Sequence, residues 1–257
     1  MLAAVILIIY LLPVYVVVVM SLKPMTDHTS RLLPPVEIYL ENYLKVFKNS
    51  NILNAMKNSL IITVGTVAIV VIAGCLAAYP IARNKGRLGR AVKIFVLGVM
   101  MVPGMSMVVG VYSTLVSIHA ISTYWGIILV SAAFGLPFSI YMYSNFIAAI
   151  PDTLDEAAAI DGADVLTIFF KIILPLTMSG VVSGIIMVFV PALTSFAVSD
   201  LLGGGKVLLI GNVIEQAFMQ EYNWNLGSGL SFVLMIFVIV SMAFMNSRGE
   251  EGSTGVW

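Results

Sequence analysis

The stretch DEAAAIDGADVLTIFFKIILPL, from Asp155 to Leu176, is a polar and regularly spaced segment in a chain that is otherwise strongly apolar. It begins with acidic residues and small alanines, and it ends in an apolar run that contains Pro175. Long uncharged runs flank it on both sides. The stretch therefore marks a water-facing element between hydrophobic segments.

The composition of the chain is that of a membrane protein. Its 257 residues are 60% hydrophobic and only 10% charged, with a mean hydropathy of +1.04. Soluble domains carry roughly 25% charged residues, and this chain has too few polar residues to cover a water-facing exterior. The formal net charge is zero, so nothing indicates a nucleic-acid partner.

Uncharged runs long enough to cross a bilayer define the predicted spans. A spanning helix needs about 20 apolar residues, and the run 94–151 is long enough for two. We therefore predict an all-α membrane protein with a single transmembrane domain over residues 1–257. Its six predicted helices cover residues 3–22, 57–82, 94–115, 124–147, 174–200 and 227–246.

The orientation follows from the loop ARNKGRLGRAVK, residues 82–93, which has five bases and no acid. Short loops rich in Lys and Arg stay in the cytoplasm. We therefore expect both termini and the loop 148–175 to be cytoplasmic. The alternative is that the bases only solvate this loop.

The segment 148–171 is predicted to form two short helices. Thr153 and Glu156 have the spacing of a capping box. Gly162 is expected to end the first helix, and Asp164 to begin the second. A stripe at helical spacing is expected to lie against the bundle, and it comprises Val165, Ile168, Phe169 and Ile172. Pro175 is expected to open the next membrane helix.

The first of these helices combines small side chains with acidic neighbours, which suits a groove on another protein. The alternative is an amphipathic linker on lipid head groups. Anionic lipids would favour Lys and Arg, but residues 152–164 contain five acids and no base. We therefore favour a protein partner.

The spaced pattern Glu156-Ala157-Ala158, three residues, Gly162, nine residues, then Ile172-x-Leu174-Pro175 resembles the EAA loop of ABC-importer permeases. The resemblance implies the type I importer permease fold and a multi-pass subunit of a prokaryotic plasma (inner) membrane. It also implies that the loop docks on a cytoplasmic ABC ATPase dimer. By this resemblance, the ATPase contact comprises Glu156, Ala157, Ala158, Asp161, Gly162 and Ala163. The residues that anchor the loop to the membrane helix are Ile172, Leu174 and Pro175.

Chemistry-bearing motifs are missing from the sequence. The GGGK at 203–206 lacks the spacing and the Ser or Thr of a phosphate-binding loop, so ATP is expected on a partner chain. His28, His119 and Cys75 do not have metal-ligand spacing. We expect a non-catalytic subunit with no metal and no cofactor of its own.

Breaks and hydroxyl groups within the predicted spans are candidates for the translocation pathway, because non-helical backbone at membrane depth is tolerated where it lines a cavity. These candidates are Pro103, Gly104, Pro137, Pro191, Thr194 and Ser195. The alternative is plain kinking or packing, since Gly and Pro are common in membrane helices. Gly180 and Gly184 form a small-xxx-small pair that predicts close helix packing.

Two parts of the chain resemble permeases for different solutes. Residues 10–176 look like carbohydrate-type permeases, through SLKP, NSLIIT, AAYPIAR and IPDTLDEAAAIDGA. Residues 186–240 look like permeases for spermidine and putrescine, and Thr194-Ser195-Phe196 replaces the Trp-Asn-acid-Phe pattern of sugar-type members. The longer stretch favours carbohydrate, with polyamines as the alternative.

The sequence thus predicts the pore-forming subunit of an ATP-driven importer. By the resemblance, its partners are the ATPase dimer, a second homologous permease subunit and an extracytoplasmic substrate-binding protein, within membrane lipid. A more distant alternative is a secondary transporter driven by an ion gradient. Such carriers usually hold an ionisable residue within a span, and the uncharged spans here argue against one. A scaffold protein without transport is a third hypothesis.

Overall fold

The computed structural model describes residues 2–203 and 206–254, and every regular element within them is a helix. Gly204 and Gly205, in the GGGK segment, lie outside the described residues. The long helices are α1 (Leu2–Ser21), α3 (Ser50–Arg83), α6 (Tyr124–Ala148), α10 (Met178–Thr194) and α13 (Trp224–Thr254). The shorter ones are α2 (Glu41–Lys48), α4 (Arg87–Met100), α5 (Val108–Ser117), α7 (Thr153–Ile160), α8 (Val165–Ile168), α9 (Leu174–Leu176), α11 (Ala197–Gly203) and α12 (Ile210–Glu215).

Four helices of the described residues are long and apolar enough to cross a membrane, namely Ala3–Ser21, Asn51–Arg83, Tyr124–Ala148 and Trp224–Ser247. A fifth span is possible if the pair Val165–Leu176 and Met178–Thr194, bent by 75°, is counted as one. The count of six spans therefore stays a prediction, while the all-α class is confirmed for the described residues.

The predicted helix 94–115 is not continuous. It is divided between α4 and α5 by a 3-10 turn at Gly104–Met107. Pro103 has no N–H to donate, and its ring disfavours helical torsions in the residue before it. The Pro103 carbonyl accepts the backbone N–H of Ser106 at 3.0 Å and the Ser106 hydroxyl at 2.6 Å. The break seen in the sequence therefore ends α4 instead of merely kinking it.

The predicted helix 174–200 is broken twice. The chain turns at Thr177, whose hydroxyl donates to Ile173 O at 2.8 Å, so Pro175 lies before the turn and does not open α10. The second break is at Ser195, which has extended torsions. A Cβ on Gly211 would lie 2.7 Å from the Thr194 carbonyl oxygen. Only glycine therefore lets α12 pass this close to the broken end of α10.

The centre of the bundle is formed by α3, α6 and α10. A Cβ on Gly184 of α10 would lie 2.7 Å from the Tyr143 hydroxyl oxygen of α6. A Cβ on Gly180, one turn away, would lie 2.3 Å from the nearest atom of the Phe146 ring. The packing role predicted for this pair of glycines is therefore confirmed.

Two ends of the bundle can be distinguished. The loop end carries residues 148–175 and the C-terminus of α3, and the far end carries the N-terminus of α3 and the segment before α12. At the far end, Asn42 and Asn225 both donate to the Lys23 carbonyl at 2.9 Å. The Lys23 side chain is fully buried, and its ammonium donates to the Thr29 hydroxyl at 2.6 Å. These bonds hold the end of α1 against α2 and α13.

Candidate functional site: the 148–175 loop and two cavities

The start of α7 differs from the prediction. Asp152 is the residue before the helix, and no side chain caps it, so the capping box of Thr153 and Glu156 is wrong. The Asp152 carboxylate instead pairs with Lys85 and with Arg83 of the basic loop. These ion pairs fix the first turn of α7 in place of a cap.

The turn after α7 is built around Gly162, which has a φ of +86°. The Ala163 N–H donates to Ala158 O at 3.0 Å, and the Gly162 N–H donates to Ala159 O at 3.1 Å. This pair of bonds is the Schellman arrangement, which favours glycine at its left-handed position. Gly162 therefore ends the helix as predicted, and it sets the direction in which α8 leaves.

The second helix of the loop begins at Asp164, as predicted. The Asp164 carboxylate accepts the Thr167 N–H at 3.2 Å, and hydrogen bonds from Thr167 lower the pKa of this carboxyl. Ile168 and Phe169 are buried in the core as the stripe predicts. Val165 is 63% exposed, so its place in the stripe is wrong. Val165 directly follows the cap residue Asp164, and in α8 the contact with the core of the bundle begins only at Ile168.

The anchoring segment contains a π-turn at Phe169–Ile173. A π-turn adds one residue to the helical turn and shifts the buried face by one position. Ile173 is accordingly fully buried, whereas Ile172, Leu174 and Pro175 are half-buried. The predicted anchors thus lie beside the core, and the most deeply buried residue of this segment was missed.

The six residues predicted to contact an ATPase fall into two groups. Glu156, Ala157, Asp161 and Gly162 are exposed, whereas Ala163 is half-buried and Ala158 is buried. Ile160 was not singled out from the sequence, yet it is 86% exposed. Ile160 is three residues after Ala157, and this spacing could have indicated that the two residues lie on the same face of the helix. The loop thus presents a surface of alanine, isoleucine and carboxylates, with Ala158 supporting it from inside.

Arg83 connects this loop to the membrane helices. Its Nε and Nη2 donate to the two carboxylate oxygens of Asp155 at 2.8 and 3.0 Å. Its Nη1 donates to Asp152 Oδ1 at 2.8 Å and to the carbonyl of Ile150 at 2.9 Å. Arg83 therefore binds two of the five acids counted in the sequence, Asp152 and Asp155.

The Asp152 carboxyl is made more acidic by these contacts. A hydrogen bond from Lys85, followed by the charges of Lys85 and Arg83, lowers the pKa of Asp152 below 3.8, although burial opposes them. Because the folded-state pKa is lowered, the stabilisation is present above pH 3.8 and is lost as the pH falls through the folded value. The contact is therefore formed throughout the neutral range.

One cavity of about 300 Å³ lies between α3, α6 and α10. Hydroxyl groups and aromatic rings meet in its wall, which includes Thr66, Ser131, Ser195, Phe134, Phe138 and Pro191. Its described lining residues include no Asp, Glu, Lys, Arg or His. The Thr66 hydroxyl is buried and has no hydrogen-bond partner in the described residues. The wall therefore offers neutral polar groups beside apolar surface.

A larger cavity of about 700 Å³ lies between α10, α12 and α13. It is mainly apolar, with three aromatic side chains in its wall, Phe196, Phe218 and Trp224. Thr194 and Glu215 supply polar groups. The Arg31 guanidinium lies 4.2 Å from the centre of the Trp224 ring, so this ring already contacts one cation.

The pathway candidates of the sequence are separated in the structure. Pro191 and Ser195 line the smaller cavity, and Thr194 lines the larger one. The wall residues of these two cavities do not include Pro103, Gly104 or Pro137. Their part in a pathway stays a prediction. Within the described residues, no group of three or more His, Cys, Asp or Glu is placed to hold a metal ion.

The chain is similar to a known family and to solved structures. The family of the binding-protein-dependent transport system inner membrane component matches residues 70–247, which is more than half of the chain. A bacterial ABC transporter involved in the import of the acidic polysaccharide alginate superposes with a TM-score of 0.78. The match covers 96% of this chain and 93% of that chain at 17% identity, so it shows a shared fold.

Two relatives differ in the solute that their names give. The melibiose/raffinose/stachyose import permease protein MelC of Bacillus subtilis is 32% identical over 177 residues, covering 68% of this chain and 64% of the relative. The spermidine/putrescine transport system permease protein PotB of Haemophilus influenzae is 41% identical over 116 residues, covering 45% and 40%. The chain thus spans less than two thirds of these curated relatives.

The helical fold, the hydrophobic helices and the family match agree with one another. The predicted type I importer permease fold is confirmed by the superposition. The chain belongs to the binding-protein-dependent transport system inner membrane component family.

Proposed function

We propose that the chain is a multi-pass permease subunit of an ABC importer, and that it couples to a separate cytoplasmic ABC ATPase dimer through its 148–175 loop. The observation that carries the proposal is the exposed face of α7. The side chains of Glu156, Ala157 and Ile160 lie on this face and are exposed, while the start of the helix is held by Arg83. Small side chains permit close approach of a partner helix or cleft, and a carboxylate can meet a base at its rim. Both termini and the loop end would then face the cytoplasm.

The remaining partners belong to the same proposal. The family description names a binding protein, which supports docking of an extracytoplasmic substrate-binding protein at the far end. A second homologous permease subunit would complete the pathway within the lipid bilayer. The chain itself performs no catalysis and holds no cofactor, because ATP is bound by the partner ATPase.

Co-purification tests the coupling loop directly. We expect the ATPase encoded beside this permease to purify with it in detergent, and Glu156→Lys to lower the recovered ATPase about tenfold or more. Glu221→Lys is the matched control, because Glu221 is equally an exposed carboxylate but lies at the far end. It should recover the ATPase at the level of the unaltered chain.

Two results would contradict the proposal. One is a permease that never retains the ATPase, and the other is equal loss in the Glu156 and Glu221 variants. Protease accessibility in sealed vesicles gives an independent check of orientation. Cleavage within residues 152–164 from the outer side alone would place the loop on the wrong side of the membrane.

For the solute, we propose a carbohydrate. The smaller cavity supports this, because its hydroxyl groups and the aromatic rings of Phe134 and Phe138 suit a neutral, hydroxylated molecule. The sugar-permease relative also covers more of the chain than the polyamine relative does.

A polyamine is the second candidate, and a specific observation favours it. In the larger cavity, the Glu215 carboxylate lies in the same wall as Phe196, Phe218 and Trp224. A carboxylate with aromatic faces attracts ammonium groups. The two cavities therefore correspond to the two candidate solutes.

Removing the charge of Glu215 separates these candidates. We expect Glu215→Gln to leave uptake within about twofold, as for a residue that makes no contact with a neutral solute. A polyamine carrier would instead lose roughly tenfold or more, the usual effect of losing a charged hydrogen-bond partner. Calorimetry of the adjacent binding protein with oligosaccharides and with spermidine provides the matching affinity measurement, and tight spermidine binding would contradict the carbohydrate assignment.

A further inference from the structure

Arg83 lies where three elements of the loop end meet. It belongs to the last turn of α3, its side chain is only 14% exposed, and it binds the paired oxygens of Asp155 in α7. It also donates to the carbonyls of Ile147 and Ile150, at the end of α6, at 3.3 and 2.9 Å. Tyr79, one turn earlier on α3, donates to Asp155 at 3.0 Å.

The geometry of this contact restricts movement. A guanidinium that binds a carboxylate through two parallel hydrogen bonds fixes both the distance and the orientation of the partners. Asp155 is 16% exposed, so water competes little for these bonds. Replacing one partner would leave the other charge partly buried and unpaired. The start of α7 is therefore expected to move together with the end of α3.

The other end of α3 is also attached. At the far end, the Asn58 amide donates to Leu208 O at 2.9 Å, and the Ser59 hydroxyl accepts the Ile210 N–H at 2.9 Å. Residues 59 and 83 lie on one continuous helix, so these attachments are about 36 Å apart at 1.5 Å per residue. The segment 208–210 leads into α12, whose Glu215 lines the larger cavity.

We infer that Arg83 is a positioning residue that locks the coupling loop to α3, so that displacement of the loop moves α3 as a strut. The movement would reach the segment Leu208–Ile210 at the far end and shift one wall of the larger cavity. This inference rests on the proposed coupling to an ATPase. It assigns the transmission to one side chain and one helix, beyond the docking surface itself.

The test uses the complete transporter, with its ATPase and partner subunits, reconstituted in liposomes. We expect Arg83→Gln to lower uptake per ATP hydrolysed on the order of tenfold, while ATP hydrolysis itself changes little. The charge exchange Arg83→Asp with Asp155→Arg should restore much of the loss. Arg87→Gln is the matched control, because Arg87 is an exposed base of the same 82–93 loop, and it should leave uptake per ATP unchanged.

A distance measurement between two labels detects the movement of α3 directly. Spin labels at Asn54→Cys and Glu221→Cys, two exposed positions at the far end, should change their separation when ATP binds. Native Cys75 is buried and is therefore a poor labelling site. We expect Arg83→Gln to abolish the ATP-dependent change and the charge exchange to recover it.

Each outcome decides the inference. Normal uptake per ATP and a normal distance change in Arg83→Gln would overturn the strut while leaving the proposed function intact. A parallel fall in protein amount, hydrolysis and uptake, without rescue by the charge exchange, would show a purely structural residue and also overturn it. If the unaltered transporter shows no ATP-dependent uptake, the proposed function fails and the strut fails with it.

Discussion

Gly184→Leu is expected to leave almost no folded permease in the membrane. A Cβ at this position would lie 2.7 Å from both Cζ and the hydroxyl oxygen of Tyr143. Tyr143 is only 1% exposed and packs in the core beside Cys75 and Ile147, so it has no free space to enter. Overpacking of a dense core typically costs about 1–3 kcal/mol and sometimes more. Since leucine adds four carbons where the first already overlaps the Tyr143 ring, we expect a cost above that range.

Gly180 provides the matched control one helical turn away. A Cβ on Gly180 also meets an aromatic ring, that of Phe146, at 2.3 Å, the same nearest distance as for Gly184 and Tyr143. Phe146 is 37% exposed, however, so its ring can rotate outward towards lipid. We therefore expect Gly180→Ala to retain more folded protein than Gly184→Ala. The measurement is the monodisperse fraction after detergent extraction and its thermal unfolding. Equal tolerance of leucine at both positions would show that the α6–α10 contact is looser than the structure has it.

Local backbone chemistry was the part of the loop that the sequence predicted well. Gly162 and Asp164 act within one turn of themselves, through a left-handed torsion and a short carboxylate-to-amide bond. Such interactions need no knowledge of distant residues. Pro103 was recognised as a possible break, but the sequence did not predict that it would end α4, since Pro80 and Pro137 lie inside continuous helices.

Long-range contacts account for what the sequence could not predict. Arg83 and Asp155 are 72 residues apart in the chain, so nothing in either segment indicates that they meet. The ion pairs of Arg83 with Asp155 and with Asp152 also explain why the expected capping box did not form. The π-turn that buries Ile173 results from packing against the bundle, which hydrophobic spacing alone does not encode.

Gly162→Val is expected to remove most ATP-dependent uptake while the protein still inserts and folds. The φ of +86° at this position is strained for any side chain, and most of all for a β-branched one. Space is not the limitation, since a Cβ on Gly162 would meet nothing within 4 Å. Strained torsions cost about 1–3 kcal/mol, which corresponds to a population loss of the native turn of roughly 5- to 150-fold. The angle between α7 and α8 would then change, so the docking surface would no longer fit its partner.

A series at this one position separates torsion from size. Asn tolerates positive φ better than Ala does, although it is larger, so we expect uptake to fall in the order Gly, Asn, Ala, Val. A steric requirement of the docking cleft would instead place Ala above Asn, and full uptake by the Val variant would remove the turn from the coupling mechanism altogether. Membrane amount and the unfolding temperature should stay close to those of the unaltered chain. The turn is exposed, and the buried anchors Phe169 and Ile173 lie beyond it, so a distorted Gly162 changes the angle between α7 and α8 without detaching the loop from the bundle.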